Sequence, residues 1–156
     1  MKRTPVARVS ELSTMKALIL PEDTPILEAI DRFASNEGQH GIFLTREDGR
    51  LVGVVNNQDL MDWARLQFDV IPGDLPLPVG KVRRLITARY ICDLAAPDSK
   101  QMSVKLSDTL ADALAKMATY DLDDIAVVDE NRRVVNDLRL SEVLAFALRV
   151  NHEQSP

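Results

Sequence analysis

Two carboxylates stand where a helix is about to begin: Asp59 in Asn56-Asn57-Gln58-Asp59, and Glu142 in Arg139-Leu140-Ser141-Glu142. A carboxylate in the first turn of a helix lies in the favourable field of the helix dipole. Being charged, it can also accept strong hydrogen bonds. Arg139 and Glu142 are three residues apart and can pair with each other. Asp121, Asp123 and Asp124 cluster between a helix and a strand and could meet a hard cation. They lack the rest of a calcium loop, so a solvated turn is expected there, and no metal site. His40 and His152 have no paired metal-ligand spacing, and His40 reads as a structural or cleft-lining residue. Lys81, Arg83, Arg84 and Arg89 form a local basic patch. It could meet nucleic acid or an anionic headgroup, serve as a solvated helix face, or hold a ligand's phosphates. The sole cysteine, Cys92 in Ile91-Cys92-Asp93-Leu94, reads as an inert thiol on the buried side of a short helix. No Gly-rich phosphate loop, nucleophile elbow or metalloprotease motif occurs, so no catalytic residues are assigned and an enzyme is not expected.

The 156 residues and 46% hydrophobic content suffice for one ordinary domain or two very small ones. A net charge of −5 disfavours a general nucleic-acid binder. No apolar run approaches bilayer length, so membrane insertion is not expected. The start, Met1-Lys2-Arg3-Thr4-Pro5, is basic, but no apolar segment follows it as in a secretory signal. These features together predict a cytoplasmic protein.

The elements that must position these side chains repeat. Glu28-Ala29-Ile30-Asp31-Arg32-Phe33-Ala34 returns as Asp112-Ala113-Leu114-Ala115-Lys116-Met117-Ala118, and Asp23-Thr24 as Asp108-Thr109. Gly49-Arg50-Leu51-Val52-Gly53 returns as Arg132-Arg133-Val134-Val135-Asn136. Each half reads strand, helix, strand, strand, helix. In the first, a strand near Ala17–Leu20 precedes a helix with Thr24 as its cap and Pro25 at its first position. Its apolar stripe comprises Ile26, Ile30 and Phe33, with Leu27 and Ala34 beside them. Strands Gly41–Thr45 and Leu51–Val55 flank the turn signal Asp48-Gly49. A helix from Gln58 to Phe68 then turns Leu60, Ala64 and Phe68 inward.

In the second half, Met102–Leu106 is a strand, and Ser107 or Asp108 caps a helix with Leu110, Ala113, Leu114 and Met117 on one face. Strands Ile125–Val128 and Arg133–Leu138 follow. Ser141 caps a last helix that buries Val143, Phe146, Ala147 and Val150. The expected divisions are residues 7–68 and 88–150 for the two units, with 69–87 as a proline- and glycine-rich connector ending in a short basic helix. The tail, 151–156, is polar and frayed. In that basic helix Val82, Leu85 and Ile86 are the apolar positions. Each half is too small to bury its own sheet and helices, so two copies must share a core.

The stretch Gly53-Val54-Val55-Asn56-Asn57-Gln58-Asp59 resembles the motif of the CBS domain: a glycine, two apolar residues, usually threonine, two variable residues, then aspartate. Ile125-Ala126-Val127-Val128-Asp129-Glu130-Asn131 resembles the apolar strand and acidic turn that precede it. The resemblance implies an α+β fold of two CBS units packed about a pseudo-twofold axis, a Bateman module. It also implies a cleft binding AMP, ADP, ATP or S-adenosylmethionine. Position by position, Asp59 would accept the ribose hydroxyls and Asn56 would contact phosphate, while Ile19, Leu20 and Ile42 would lie near the base. Asn56 stands where threonine is usual. The second motif departs further, with Asn136 for glycine, Asp137 for an apolar residue, Arg139 for threonine and Glu142 for aspartate. Arg139 and Glu142 are then either a second ligand site or a pair that fills it.

The reading that follows is a non-catalytic regulatory module with one working ligand site per chain, centred on Asp59. An adenosyl nucleotide is its regulatory ligand, and no cofactor is required. Such pairs commonly form homodimers and relay ligand occupancy to an effector protein, an enzyme or a transporter. Two alternatives stand beside it: a ligand-free interaction and dimerisation module, and a nucleic-acid-binding regulator using Lys81–Arg89. No nucleic acid is expected in the principal reading.

Overall fold

The computed structural model describes residues 3–12, 16–36, 38–70 and 77–154. Helix α1 (Val6–Ser10) leads to strand β1 (Ile19–Pro21), helix α2 (Ile26–Ser35), strands β2 (Gly41–Thr45) and β3 (Leu51–Asn56), and helix α3 (Asn57–Gln67). Helix α4 (Val79–Ile86) and 3₁₀ turns at Ile91–Leu94 and Ser99–Gln101 lead into the second unit. That unit comprises β4 (Ser103–Lys105), α5 (Leu110–Tyr120), β5 (Asp124–Val128), β6 (Val134–Arg139) and α6 (Leu140–Gln154). Each unit holds a three-stranded sheet, parallel between its first two strands and antiparallel between the last two.

The registers repeat as the sequence does. Gly41 faces Asn56 in one sheet, as Asp124 faces Arg139 in the other, and both sheets carry a bulge near the hairpin. Gly49, with φ +85°, turns the first hairpin, whereas the second is turned by Arg132 at φ +64°. Equivalent residues meet between the units: His40 Nδ1 lies 3.0 Å from Asp123 Oδ2, and Arg50 bridges to Arg133. Only residues near a twofold axis can contact their own equivalents, so these two contacts mark the pseudo-twofold.

Strand β2 is buried along its whole length. Successive side chains point to opposite faces of a strand. Ile42 and Leu44 therefore pack beneath α2, α3 and α4, while Phe43 enters a core with Val54, Ile125, Val127 and Leu138 of both units. The units also exchange their leading segments. Val6 N donates to Asp108 O (2.7 Å), so α1 lies on the second unit, where Val6 and Val9 are buried. Ile91 N donates to Thr24 O (2.8 Å), and Ile91 and Leu94 are buried in the first unit.

Several local expectations are corrected. Thr24 Oγ1 donates back to Pro21 O, and Pro25 itself occupies the cap position of α2. The cap of α5 is Thr109, in a reciprocal box with Asp112, instead of Ser107 or Asp108. Asp108 instead accepts from Lys105 N (2.8 Å). Ser141 lies inside α6 and does not precede it. Leu27 and Ala34 of α2 face outward, with Leu27 75% exposed. Leu114 and Ile86 are exposed as well. Phe68, the residue ending α3, is 78% exposed. The polar tail is helical through Gln154, because α6 continues past Val150, which packs on the core. The connector residues 71–76 lie outside the described residues.

Candidate functional site

The chain leaves β3 and enters α3 through a pair of reciprocal hydrogen bonds. Asp59 N donates to Asn56 Oδ1 (3.0 Å), and Asn56 N donates to Asp59 Oδ2 (3.1 Å). This box satisfies two backbone donors that the start of a helix leaves open. It also fixes Asp59 in the first turn, 5% exposed. Its other oxygen, Oδ1, accepts from Lys81 Nζ on α4 at 3.2 Å. Lys81 Nζ also lies 2.6 Å from Asp62 Oδ2, and Asp62 Oδ1 accepts from Gln58 (2.9 Å) and Arg65 (3.4 Å). Leu85, buried between α4 and the first unit's core, anchors the helix that carries Lys81.

Burial pushes the Asp59 carboxyl above its ordinary value, against the Asn56 N–H, the Lys81 ammonium and the charge of Arg84. Asp59 is thus a desolvated carboxylate with one oxygen bonded to a backbone N–H and the other to a lysine. Ile19 is 37% exposed, whereas Leu20 and Ile42 are fully buried in the first unit's core. Those two side chains lie beneath the surface and present no exposed face to a ligand.

The equivalent corner of the second unit is built differently. Glu142 Oε1 accepts from Arg139 N (3.0 Å), repeating half of the Asn56–Asp59 box. The Arg139 guanidinium bonds Asp137 Oδ2 through Nε at 3.1 Å. Arg139 and Glu142 thus meet through the Arg139 backbone N–H, while the guanidinium reaches Asp137. Asp137 and Arg139 lie two apart on β6 and so share a face, and both are almost fully buried. Asp124, on the neighbouring β5, completes the cluster. Burial first, then the Asp137 carboxylate, push the Asp124 carboxyl up to about 10, with Arg139 opposing. Protonated Asp124 gives the cluster a donor for Asp137, whose Oδ1 otherwise has no partner among the described residues. The expected solvated turn of Asp121, Asp123 and Asp124 is corrected for Asp124, which is buried in a strand.

Cys92 is exposed, correcting the buried-side reading. Desolvation and the carboxylates of Asp93 and Glu22 raise its thiol pKa, which disfavours the nucleophilic thiolate. Among the described residues, no group of three His, Cys, Asp or Glu converges as a metal site. No helix among them is long and apolar enough to cross a membrane.

Sequence reasoning missed Lys81 as the partner of Asp59, because they lie 22 residues apart on separate helices. It also missed Ser99, whose buried Oγ accepts from Val54 N (2.9 Å) beside Gly53. A side chain at Gly53 would press on Ala95 (3.3 Å) and Ser99 (3.4 Å), which gives the motif glycine its reason. Its counterpart Asn136 has room to bond Ser10 Oγ on α1 at 3.0 Å.

The profile of the CBS domain matches residues 9–65 and 91–149. No curated protein matches the sequence. Among solved structures, a CBS domain-containing protein from Thermotoga maritima is 22% identical, with 96% of this chain and 97% of that one covered and a TM-score of 0.75. A CBS domain protein from Pyrobaculum aerophilum complexed with AMP is 22% identical, covering 92% of this chain and 98% of its own, with a TM-score of 0.65. A CBS domain pair in complex with 5′-methylthioadenosine and S-adenosyl-L-methionine is 16% identical, covering 92% of this chain and 95% of its own, also at 0.65. Two matched segments, two repeated sheets and an axis marked by equivalent residues lead to one conclusion: the chain belongs to the CBS domain family and is a tandem CBS pair.

Proposed function

We propose that this CBS pair is a non-catalytic regulatory module of the cytoplasm that binds an adenosine-containing ligand at Asp59 and passes its occupancy to a partner protein. The observation that carries the reading is the Asn56–Asp59 box. It presents a buried carboxylate at the start of α3, at the motif position the family resemblance assigns to the ribose. Similar CBS pairs solved with AMP, or with 5′-methylthioadenosine and S-adenosyl-L-methionine, support the ligand class. Asn56 would contact phosphate, and Ile19, above the buried Leu20 and Ile42, would lie near the base.

Lys81 supplies the means of relay. A ribose that takes Asp59 leaves Lys81 on Asp62 alone and so shifts the hold on α4, which adjoins the Ile91–Leu94 turn. Ligand then favours one position of α4 only by its differential affinity for that position. The partner, an enzyme or transporter, reads that position. The Asp124–Asp137–Arg139 cluster fills the second corner, so one ligand binds per chain.

The test is a thermal-shift titration with AMP, ADP, ATP, S-adenosylmethionine and NAD on wild type and Asp59→Asn. Ligand at about a hundred times its dissociation constant stabilises the fold by about 2.7 kcal/mol. The expected result is a shift with an adenosyl ligand that Asp59→Asn abolishes. The Lys81–Asp59 contact also favours a second reading, a ligand-free interaction and dimerisation module in which the ion pair is permanent. No shift with any of the five compounds would overturn the adenosyl-ligand reading and favour that second one.

A further inference from the structure

A cavity of about 690 Å³ opens between the two units near the hairpin tips. Five cations line it: Arg46 and Arg50 from the first hairpin, Lys100 from the segment before β4, Lys116 from α5, and Arg132 from the second hairpin. Among the described residues no acidic side chain lines it, on a chain whose net charge is −5. Its walls include neither Asp59 nor Asn56.

Two of the cations are held in place by neutral groups. Arg132 Nη2 donates to Lys100 O (3.0 Å), and Lys116 Nζ donates to Ser103 O (2.7 Å). A carbonyl fixes a cation's position without cancelling its charge. Among the described residues, Arg50 alone of the five shares its charge across a salt bridge, with Asp48 at 3.6 Å. Arg132 carries a further signal, since it occupies the left-handed region at φ +64° where the first hairpin uses Gly49. A side chain with a Cβ is disfavoured there, and strain of this kind clusters at ligand sites. The cavity volume lies within the range of about 300–1000 Å³ usual for small-molecule sites. Guanidinium and ammonium groups converging on such a space match the geometry and charge of linked phosphates. Tyr120 adds an aromatic wall at one end.

We infer that this cavity is an anion site, separate from Asp59, for a small molecule carrying two or more linked phosphate groups. The bound phosphates screen five mutually repelling cations, so occupancy ties the two hairpins and α5 together. The shared chemistry is the phosphate chain, from either a nucleoside polyphosphate or inorganic polyphosphate.

The experiment is isothermal titration of the full chain with inorganic triphosphate, ATP and adenosine in about 50 mM and about 500 mM salt. It compares wild type with Arg132→Gly, Lys116→Gln and Asp59→Asn. Triphosphate and ATP should bind wild type and weaken at least about tenfold in high salt and in each cavity variant. Arg132→Gly should keep or raise the melting temperature, so its loss of binding is not a loss of fold. Equal affinities for triphosphate and ATP assign the phosphate chain alone, and tighter ATP binding assigns a nucleoside polyphosphate with its base toward Tyr120. Triphosphate binding that survives in Asp59→Asn separates this site from the one proposed at Asp59. The inference is overturned if neither anion binds wild type, or if both cavity variants bind unchanged. ATP binding lost only in Asp59→Asn would overturn it while leaving the Asp59 reading intact. A short DNA duplex binding more tightly than triphosphate, and lost in the same variants, would also overturn it in favour of a nucleic-acid surface.

Discussion

Lys81 sits between two carboxylates, 3.2 Å from Asp59 and 2.6 Å from Asp62. Removing its ammonium removes the competitor for Asp59 but leaves two buried negative charges less compensated. Lys81→Ala is therefore expected to lower the melting temperature and to tighten adenosyl-ligand binding about fivefold or more, from a charged hydrogen bond of about 1.5–3 kcal/mol. Calorimetric titration against wild type measures both. Asp124 gives a pH dependence of definite sign. Its pKa rises from the model-peptide value of 3.8 to about 10 on folding. The folded state thus holds a proton that the unfolded state releases. Its stabilising contribution is complete below about pH 4 and is lost progressively as the pH rises through about 10. Asp124→Asn keeps a neutral donor for Asp137. Its melting temperature should exceed that of wild type by about 2 °C or more at pH 8, with the gap closing toward pH 4. The spacing of Asn56 and Asp59 made their box legible in advance. The approach of Arg139 to Asp137 is legible in principle from the two-residue period of a strand, whereas the three-residue spacing from Arg139 to Glu142 points to a helical neighbour.

Helix α6 shows what an element adds. Its inward positions, Val143, Phe146 and Val150, follow the helical period and seal the second unit's core. Leu140, Leu144 and Leu148, each one turn from the next, are left outside, the last two 55% and 62% exposed. Met61, at the position on α3 equivalent to Leu144, is exposed too. An exposed apolar stripe of this kind on α6, with Met61 on the equivalent helix, is a candidate interaction surface. The proposal that this surface forms a homodimer predicts that wild type sediments as a dimer and the double variant Leu144→Asp/Leu148→Asp as a monomer, with its secondary structure unchanged by circular dichroism; a monomeric wild type would overturn it. The stripe was not apparent from periodicity alone, since α6 is apolar on both sides and the helical pattern does not say which face meets the core. Thr109, in contrast, carries the full box with Asp112. The expected cap one or two residues earlier differs by no more than the usual uncertainty of a helix boundary.

At the scale of the whole molecule, neither unit owns its core. Val6, Val9, Phe43, Leu51 and Val54 from the first half lie in one cluster with Val104, Ile125, Val127 and Leu138 from the second. Leu51 N donates to Arg132 O and Val134 N to Gly49 O, so the two hairpins also share backbone hydrogen bonds. A chain of residues 88–150 would expose the apolar face that α1 and the first sheet cover. It should show no cooperative thermal transition by calorimetry, whereas the full chain should unfold in one. The sequence by itself determined the two repeats, the strand and helix periods, the hairpin turn at Gly49 and the carboxylate at the start of each final helix. Those are local patterns, written at spacings of two to four residues by the geometry of the backbone. Only the tertiary structure decided that α1 lies on the far unit, that Lys81 holds Asp59, that Arg139 turns to Asp137, and that cations from both halves face one cavity. Three of those four join residues distant in sequence. They depend on how helices and sheets pack together in three dimensions, and no local period of side chains encodes that packing.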